Sequence, residues 1–524
     1  MRKRRALLAL ASVAAGLLAM GTAAAAAAPA AENIAYYAIY VDPILQWDPS
    51  GSVTNEVMVF NNIYETLLRY NPESDEFTGV LATDYSVSDD GLTWTFNIRE
   101  NVTFHDGTPL NAEAVKFCID RTINNGQMQS YLWEPVESIE VVDEYTVQFN
   151  LNTAAPLDVI AAATSGAYIY SPTAVEENGE EWFAAGNECG SGPYMLNSYS
   201  MGENVILSAY EDYWGGWEEN QYGTVIIEKA AEASSRRQLV ESGEANITHM
   251  LTNEDLEALK AVDTVEVVEA PTIKNINLLY NTAEGPTSDE NFRKALAYAI
   301  PYEDILESAC GGYASKATGY VPAGLWGHSD DIMSYSYDLD KAQEYLDASE
   351  YADEDVTLVM TYQTGDETLR LISELYQTEL EKLGITLDIR AVTWDSQFSM
   401  ATSTDPADRQ DILLEYWMLD IASPYSFVHG MYGSEPEDAI SNNLSYYRNS
   451  ELDALLEEAN QLAATDREAA SEKFVEAQNM IAEDAPGIAV CDKTEVFAIT
   501  NMGEVEMNAA YPMVIRFYDC TVAE

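Results

Sequence analysis

Four histidines and five cysteines have the widest chemical repertoire in this 524-residue chain, and their spacing removes most of it. His105, His249, His328 and His429 stand far apart, and none sits in His-Glu-x-x-His or another metal-ligand spacing. Cys118, Cys189, Cys310, Cys491 and Cys520 contain no Cys-x-x-Cys pair, so neither a zinc site nor a dithiol redox site is expected. No Gly-x-Ser-x-Gly elbow presents a serine for acyl transfer. No Gly-x-x-x-x-Gly-Lys-[Ser/Thr] loop cradles phosphate, and no Gly-x-Gly-x-x-Gly follows a strand. Carboxylate pairs occur throughout the 88 Asp and Glu, so a paired-acid glycosidase has nothing to distinguish it. The expectation is no catalytic residue, no metal and no cofactor, with each histidine a surface group or a satisfied core group.

The elements alternate. Leu92, Trp94, Phe96 and Ile98 recur with period two after the turn SDDG (88–91), which predicts a half-buried strand. Asn111 then caps a helix with Glu113 in its first turn. Ser138 to Val142 and Tyr145 to Leu151 predict a hairpin through Asp143-Glu144. A turn-rich strand pair follows over 189–216, and an apolar strand over 271–281 leads out of this part. Beyond it helices dominate: one from Asp289, one from Pro301, and an amphipathic one from Asp366 to Leu383 closed by Gly384. Ile385, Leu387 and Ile389 then alternate as a strand. Ser450 and Asp453 predict a capping box, and Asp466 opens a helix that Pro486 stops. Repeated strand–helix alternation over this length predicts α/β architecture with two or three domains.

The formal net charge is −62, from 26 Lys and Arg against 88 Asp and Glu. Such a surface repels nucleic acid and anionic lipid, and suits a cationic or zwitterionic ligand or a salty medium. The N-terminus has the form of an export leader. Arg2, Lys3, Arg4 and Arg5 precede an apolar run from Ala6 to Met20, and Ala28-Pro29-Ala30 offers a cleavage site after Ala30. That run is too short to span a membrane stably. No cysteine follows it before Cys118, so no lipobox anchor is expected. The protein is expected outside the cytoplasmic membrane, periplasmic or extracellular. Export permits disulfides, and the odd count leaves at least one thiol unpaired within the chain.

NIYETLLRYNPESDEFTGVLATDYSVSDDGLTWTFNIRENVTFHDGTPLNAEAVKFCIDR (62–121) resembles the extracytoplasmic solute-binding proteins of bacterial ABC importers, in their oligopeptide/dipeptide-binding family. GSGPYMLNSYSMGENVILSAYEDYWGG (190–216), NFRKALAYAIPYEDIL (291–306), LGITLDIRAVTWDSQF (383–398) and YYRNSELDALLEEANQLAATDREAASEKFVEAQNMIAEDAPGIAV (446–490) continue the resemblance in family order. The resemblance implies an α/β two-lobe, periplasmic-binding-protein-like clamshell with an extra α/β domain inserted in lobe I. On that map 1–30 is the leader, 31–64, 185–280 and 490–524 are lobe I, 65–184 is the extra domain, and 281–489 is lobe II.

The same resemblance assigns the ligand-binding residues. EYWMLDIASPYSFVHG (415–430) is similar to the family's ligand-reading loop, aligned on Trp417, Asp420, Pro424 and Phe427. In peptide-binding members the acid at the Asp420 position holds the ligand's α-ammonium, which a dry cleft makes far stronger than it is in water. The alternative for Asp420 is a helix cap or a partner for lysine. Trp394 and Trp47 are expected to pave the cleft or to be core, and Tyr416, Tyr425 and Asn275 are further candidates. Dipeptide receptors clamp the ligand carboxylate with an arginine where MTYQTGDET (360–368) places Gln363, so a longer peptide is the expected ligand. The partners so implied are a peptide or other small solute and the permease subunits, with the chain a monomer. The competing readings are a receptor for an oligosaccharide or a nickel chelate, a secreted hydrolase, and an adhesion protein.

Overall fold

The computed structural model describes residues 29–51, 55–126, 128–434 and 443–523. The expected leader therefore lies outside the described residues, apart from Pro29 and Ala30. Among the described residues no helix is long and apolar enough to cross a membrane.

Two mixed sheets organise the chain. The first has seven strands in the order Glu266–Ala270, Glu495–Ile499, Ile247–Thr248, Ile34–Ile39, Thr224–Lys229, Asn204–Ala209 and Tyr194–Ser200. The second has six, in the order Ala314–Lys316, Gly487–Lys493, Lys274–Tyr280, Ile412–Met418, Thr357–Gln363 and Thr386–Val392. A four-stranded antiparallel sheet, Ala82–Val87, Thr93–Ile98, Thr146–Leu151 and Val136–Asp143, forms the inserted unit. Its alternation buries Trp94, Phe96, Val147 and Phe149, the side predicted from period two. The helix Ala112–Asn125 packs there, capped by the Asn111 side chain on the Ala114 amide.

The second sheet is covered on both faces. Ile276, Leu278, Ile412 and Leu414 meet Phe292, Ile372 and Tyr376 on one side. Leu279 and Leu413 share the opposite side with Phe427, Met431 and Phe474, in a core that continues through the inserted unit and the first sheet. Burial on both faces explains the nearly unbroken apolar strand Lys274–Tyr280.

The chain crosses between the halves twice, side by side: after Glu266–Ala270 into Lys274–Tyr280, and after Gly487–Lys493 into Glu495–Ile499. This corrects two limits. Residues 274–280 and 490–493 belong to the second sheet, because Lys274–Tyr280 pairs with Ile412–Met418 along its whole length. The apolar pattern could not say which half claimed that strand. The crossing is pinned by Lys274 Nζ, 3.1 Å from Glu495 Oε2, both side chains more than nine-tenths buried. Burial opposes the Glu495 charge, but Lys274 outweighs it and holds the carboxyl below its usual range. Thr272 Oγ1 donates to the Lys493 carbonyl across the same pair of strands.

One cap also differs. Asn449, not Ser450, caps the helix Ser450–Leu462, taking hydrogen bonds from the amides of Glu451 and Leu452. Asp453 instead accepts from the Ser434 amide, so no capping box forms.

Candidate functional site

Thr357–Gln363 runs parallel to Thr386–Val392 and to Ile412–Met418, so their carboxyl ends share one edge of the second sheet. Ligands of open α/β sheets bind outside such ends. Gln363 is the exposed last residue of its strand. Trp394 opens the next helix, capped by Thr393, and is 43% exposed with its ring 6.0 Å from Phe398. Met418 is 41% exposed, and Asp420 follows it by two residues.

Asp420 caps no helix and pairs with no lysine among the described residues. The helix Pro424–Tyr432 is capped by Ser423, which accepts from the Tyr425 amide. The Asp420 amide is held by Ser426 Oγ at 3.1 Å, which fixes the turn. Its carboxylate accepts at 3.1 Å from the hydroxyl of Tyr131, which belongs to the inserted unit. Burial raises the Asp420 pKa, and the Tyr131 hydrogen bond opposes this only in part. A partly buried carboxylate with no cationic partner among the described residues thus stands where the two halves meet. Tyr511, from the C-terminal segment, lies beside Thr164 and feels the same charge; burial lifts its hydroxyl to about 12.

The other expected residues divide. Tyr425 stacks on His429 with centroids 4.3 Å apart, next to Tyr131 in the electrostatic sense. Trp417 is half-buried and donates to the Ser426 carbonyl at 3.0 Å, bracing the turn from beneath. Tyr416 lies under the Lys274 ammonium, 4.9 Å from it, and hydrogen-bonds Asp366, which ties it to the crossing strands. Asn275 and Trp47 are corrections. Asn275 is fully buried, donating to the Tyr320 carbonyl and accepting from Asn277. Trp47 is 3% exposed, wedged against Phe60 and Tyr199 in the core of the first half. Neither presents a face to the gap.

A second contact joins the halves. Arg467, first residue of the helix Arg467–Asp484, lies 2.8 Å from Asp158 of the inserted unit, over the rings of Phe77 and Trp326. Sequence reading missed Tyr131, Tyr511 and Arg467. Each acts through a contact more than 280 residues away or through the C-terminal tail, which no local pattern encodes. The histidines find ordinary partners: His105 with Glu188, His249 with the Tyr37 hydroxyl, His328 with the Val321 carbonyl.

The family model for bacterial extracellular solute-binding proteins, family 5, middle region, matches residues 76–438. The chain belongs to that family. It is 29% identical over 482 residues to the probable D,D-dipeptide-binding periplasmic protein DdpA of Escherichia coli, covering 90% of each chain. It is 26% identical to the glutathione-binding protein GsiB of Pectobacterium atrosepticum, over 86% of this chain and 87% of that one. The structure superposes on the periplasmic binding protein DppA of Helicobacter pylori, solved with the peptide STSA, with a TM-score of 0.81 at 22% identity, covering 94% and 98% of the chains. The two-lobe fold is shared.

Proposed function

We propose that this chain is the exported receptor of an ABC peptide importer, which traps a peptide between its lobes and releases it unaltered to a membrane permease. ATP is hydrolysed by separate cytoplasmic subunits. The observation that carries the reading is Asp420: a partly buried carboxylate, with no cationic partner among the described residues, that accepts from Tyr131 of the opposite half. The ligand's α-ammonium supplies the missing charge, and a charge-assisted pair in such a setting is strong. Because the acid sits on one lobe and its hydroxyl partner on the other, ligand binding favours the closed arrangement over the open one. Gln363 offers no bidentate grip on a carboxylate, which favours peptides longer than two residues.

The test is native mass spectrometry of the purified protein with a tripeptide and tetrapeptide library, followed by X-ray scattering with the tightest binder. The expected result is a one-to-one complex, intact peptide on release, and a smaller radius of gyration at saturation. Cleaved peptide, or dimensions unchanged at saturation, would count against the reading.

A further inference from the structure

Tyr511 has a second face. Together with Thr164, Tyr70 and Tyr168 it lines a small recess, with a cavity of about 40 Å³, whose walls also carry Arg69 and Arg516. The Arg69 guanidinium is about one-third exposed and donates no hydrogen bond among the described residues. Its nearest acid, Asp519, is 3.7 Å away and lies 2.9 Å from Arg516 Nε, so one carboxylate serves two guanidiniums. Arg516 Nε and Asp519 Oδ2 are buried and face each other at 2.9 Å, an ion pair without good hydrogen-bond alignment. Glu506 stands within electrostatic reach of all three, its own pKa raised by burial first and then by Asp519. Glu65, the one acid in the lining, is spent: Trp214, Tyr213 and Ser191 occupy its two oxygens. The Arg69 guanidinium, held only by a long ion pair, suits a carboxylate, which takes two parallel N–H bonds from one arginine.

We propose that the recess behind Tyr511 is an acid-reading subsite, in which Arg69 and Arg516 hold an anionic group of a ligand whose ammonium rests on Asp420. This deepens the peptide reading and rests on it. It assigns to the first half the carboxylate recognition that Gln363 cannot supply from the second. Tyr511 lines the recess and feels the Asp420 charge, which favours an acidic first side chain over a distant C-terminus.

Calorimetry with matched acid and amide probes tests this: Glu-Ala-Ala against Gln-Ala-Ala, and Ala-Ala-Glu against Ala-Ala-Gln. The expected result is that Glu-Ala-Ala binds at least tenfold more tightly than Gln-Ala-Ala, with a smaller gap in the second pair. Arg69→Gln should reduce the gap to less than threefold. Arg69→Lys, which keeps the charge and the fold but loses the fork, should give an intermediate gap. Equal affinity for acid and amide in both pairs overturns the subsite and leaves the peptide reading intact. An acid preference that survives Arg69→Gln also overturns it. A protein that binds none of the four probes removes both readings together.

Discussion

Asp420→Asn separates ligand recognition from stability because the two effects have opposite signs. The amide keeps the size of the side chain and an oxygen that accepts from Tyr131, so geometry is preserved while charge is lost. The carboxylate is partly buried with no cationic partner among the described residues, and burial raises its pKa. A raised folded pKa means that the stability linked to this group is complete below the unfolded value of 3.8 and is lost as pH rises through the folded value. The empty Asn variant should therefore melt no lower than the parent at neutral pH, and its melting point should vary less with pH. Binding goes the other way. Removing one member of a buried charge pair costs about 2–5 kcal/mol, or roughly 30- to 5,000-fold in affinity. The assay is a cycle with Ala-Ala-Ala and its N-acetyl form, titrated into parent and variant. Acetylation should weaken binding to the parent by about the same factor as the mutation, and should have little further effect on the variant. Parent affinity for the free amine should also rise with pH through the Asp420 pKa. Equal affinity of the parent for the free and acetylated peptides would refute the ammonium assignment, whatever the variant does.

Two further outcomes follow from other contacts. Arg467→Ala removes the only ion pair between the helix Arg467–Asp484 and the inserted unit among the described residues, and leaves the buried Asp158 without its cation. Affinity should fall by about 1–2 kcal/mol, roughly 5- to 30-fold, although Arg467 is not assigned to the ligand, and scattering should report a more open empty protein. Glu415 is 4% exposed, one of its oxygens has no partner, and burial alone lifts its pKa from 4.5 to about 8. Its stability contribution is complete below pH 4.5 and is lost as pH rises towards 8. Glu415→Gln should stabilise the protein by roughly 3 kcal/mol at pH 7 and not at pH 4, read by denaturant melts at both pH values.

Local patterns carried much of the fold because the elements obey local chemistry. Asn111, Asp289, Asp366 and Asp466 each cap the helix they announce, since a short side-chain acceptor before an apolar period has little else to do. The period-two strands of the inserted unit bury the predicted side because that sheet has one wet face. The strand Lys274–Tyr280 was assigned to the wrong half for the converse reason. A strand covered on both faces shows no alternation, and its sheet membership depends on partners more than 130 residues away. The turn around the candidate site is a local motif, whereas its partners across the gap are met only in the folded chain. Asp420 comes from a compact turn whose residues, Trp417, Ser423 and Ser426, hold one another. Trp47 and Asn275 share residue types with cleft-lining groups, but burial is a property of the assembled core, where Phe60, Tyr199 and Tyr320 claim them first.

The distribution of polar contacts explains how such a molecule can close and reopen. At the crossing strands, Lys274 and Glu495 are buried together and satisfied together, so breaking that pair would leave two bare charges in a dry setting. Contacts of that kind resist separation, and they lie where the chain must stay joined in every state. Across the gap the contacts are different in kind. Tyr131 is 45% exposed and Asp420 lacks a cation, so their hydrogen bond can be exchanged for water at little net cost. Arg467 is partly solvated beside Asp158. Polar contacts of this kind add little to the closed state. A ligand that brings an ammonium to Asp420 then supplies what the empty closed state lacks, and the same group that penalises closure without cargo stabilises it with cargo.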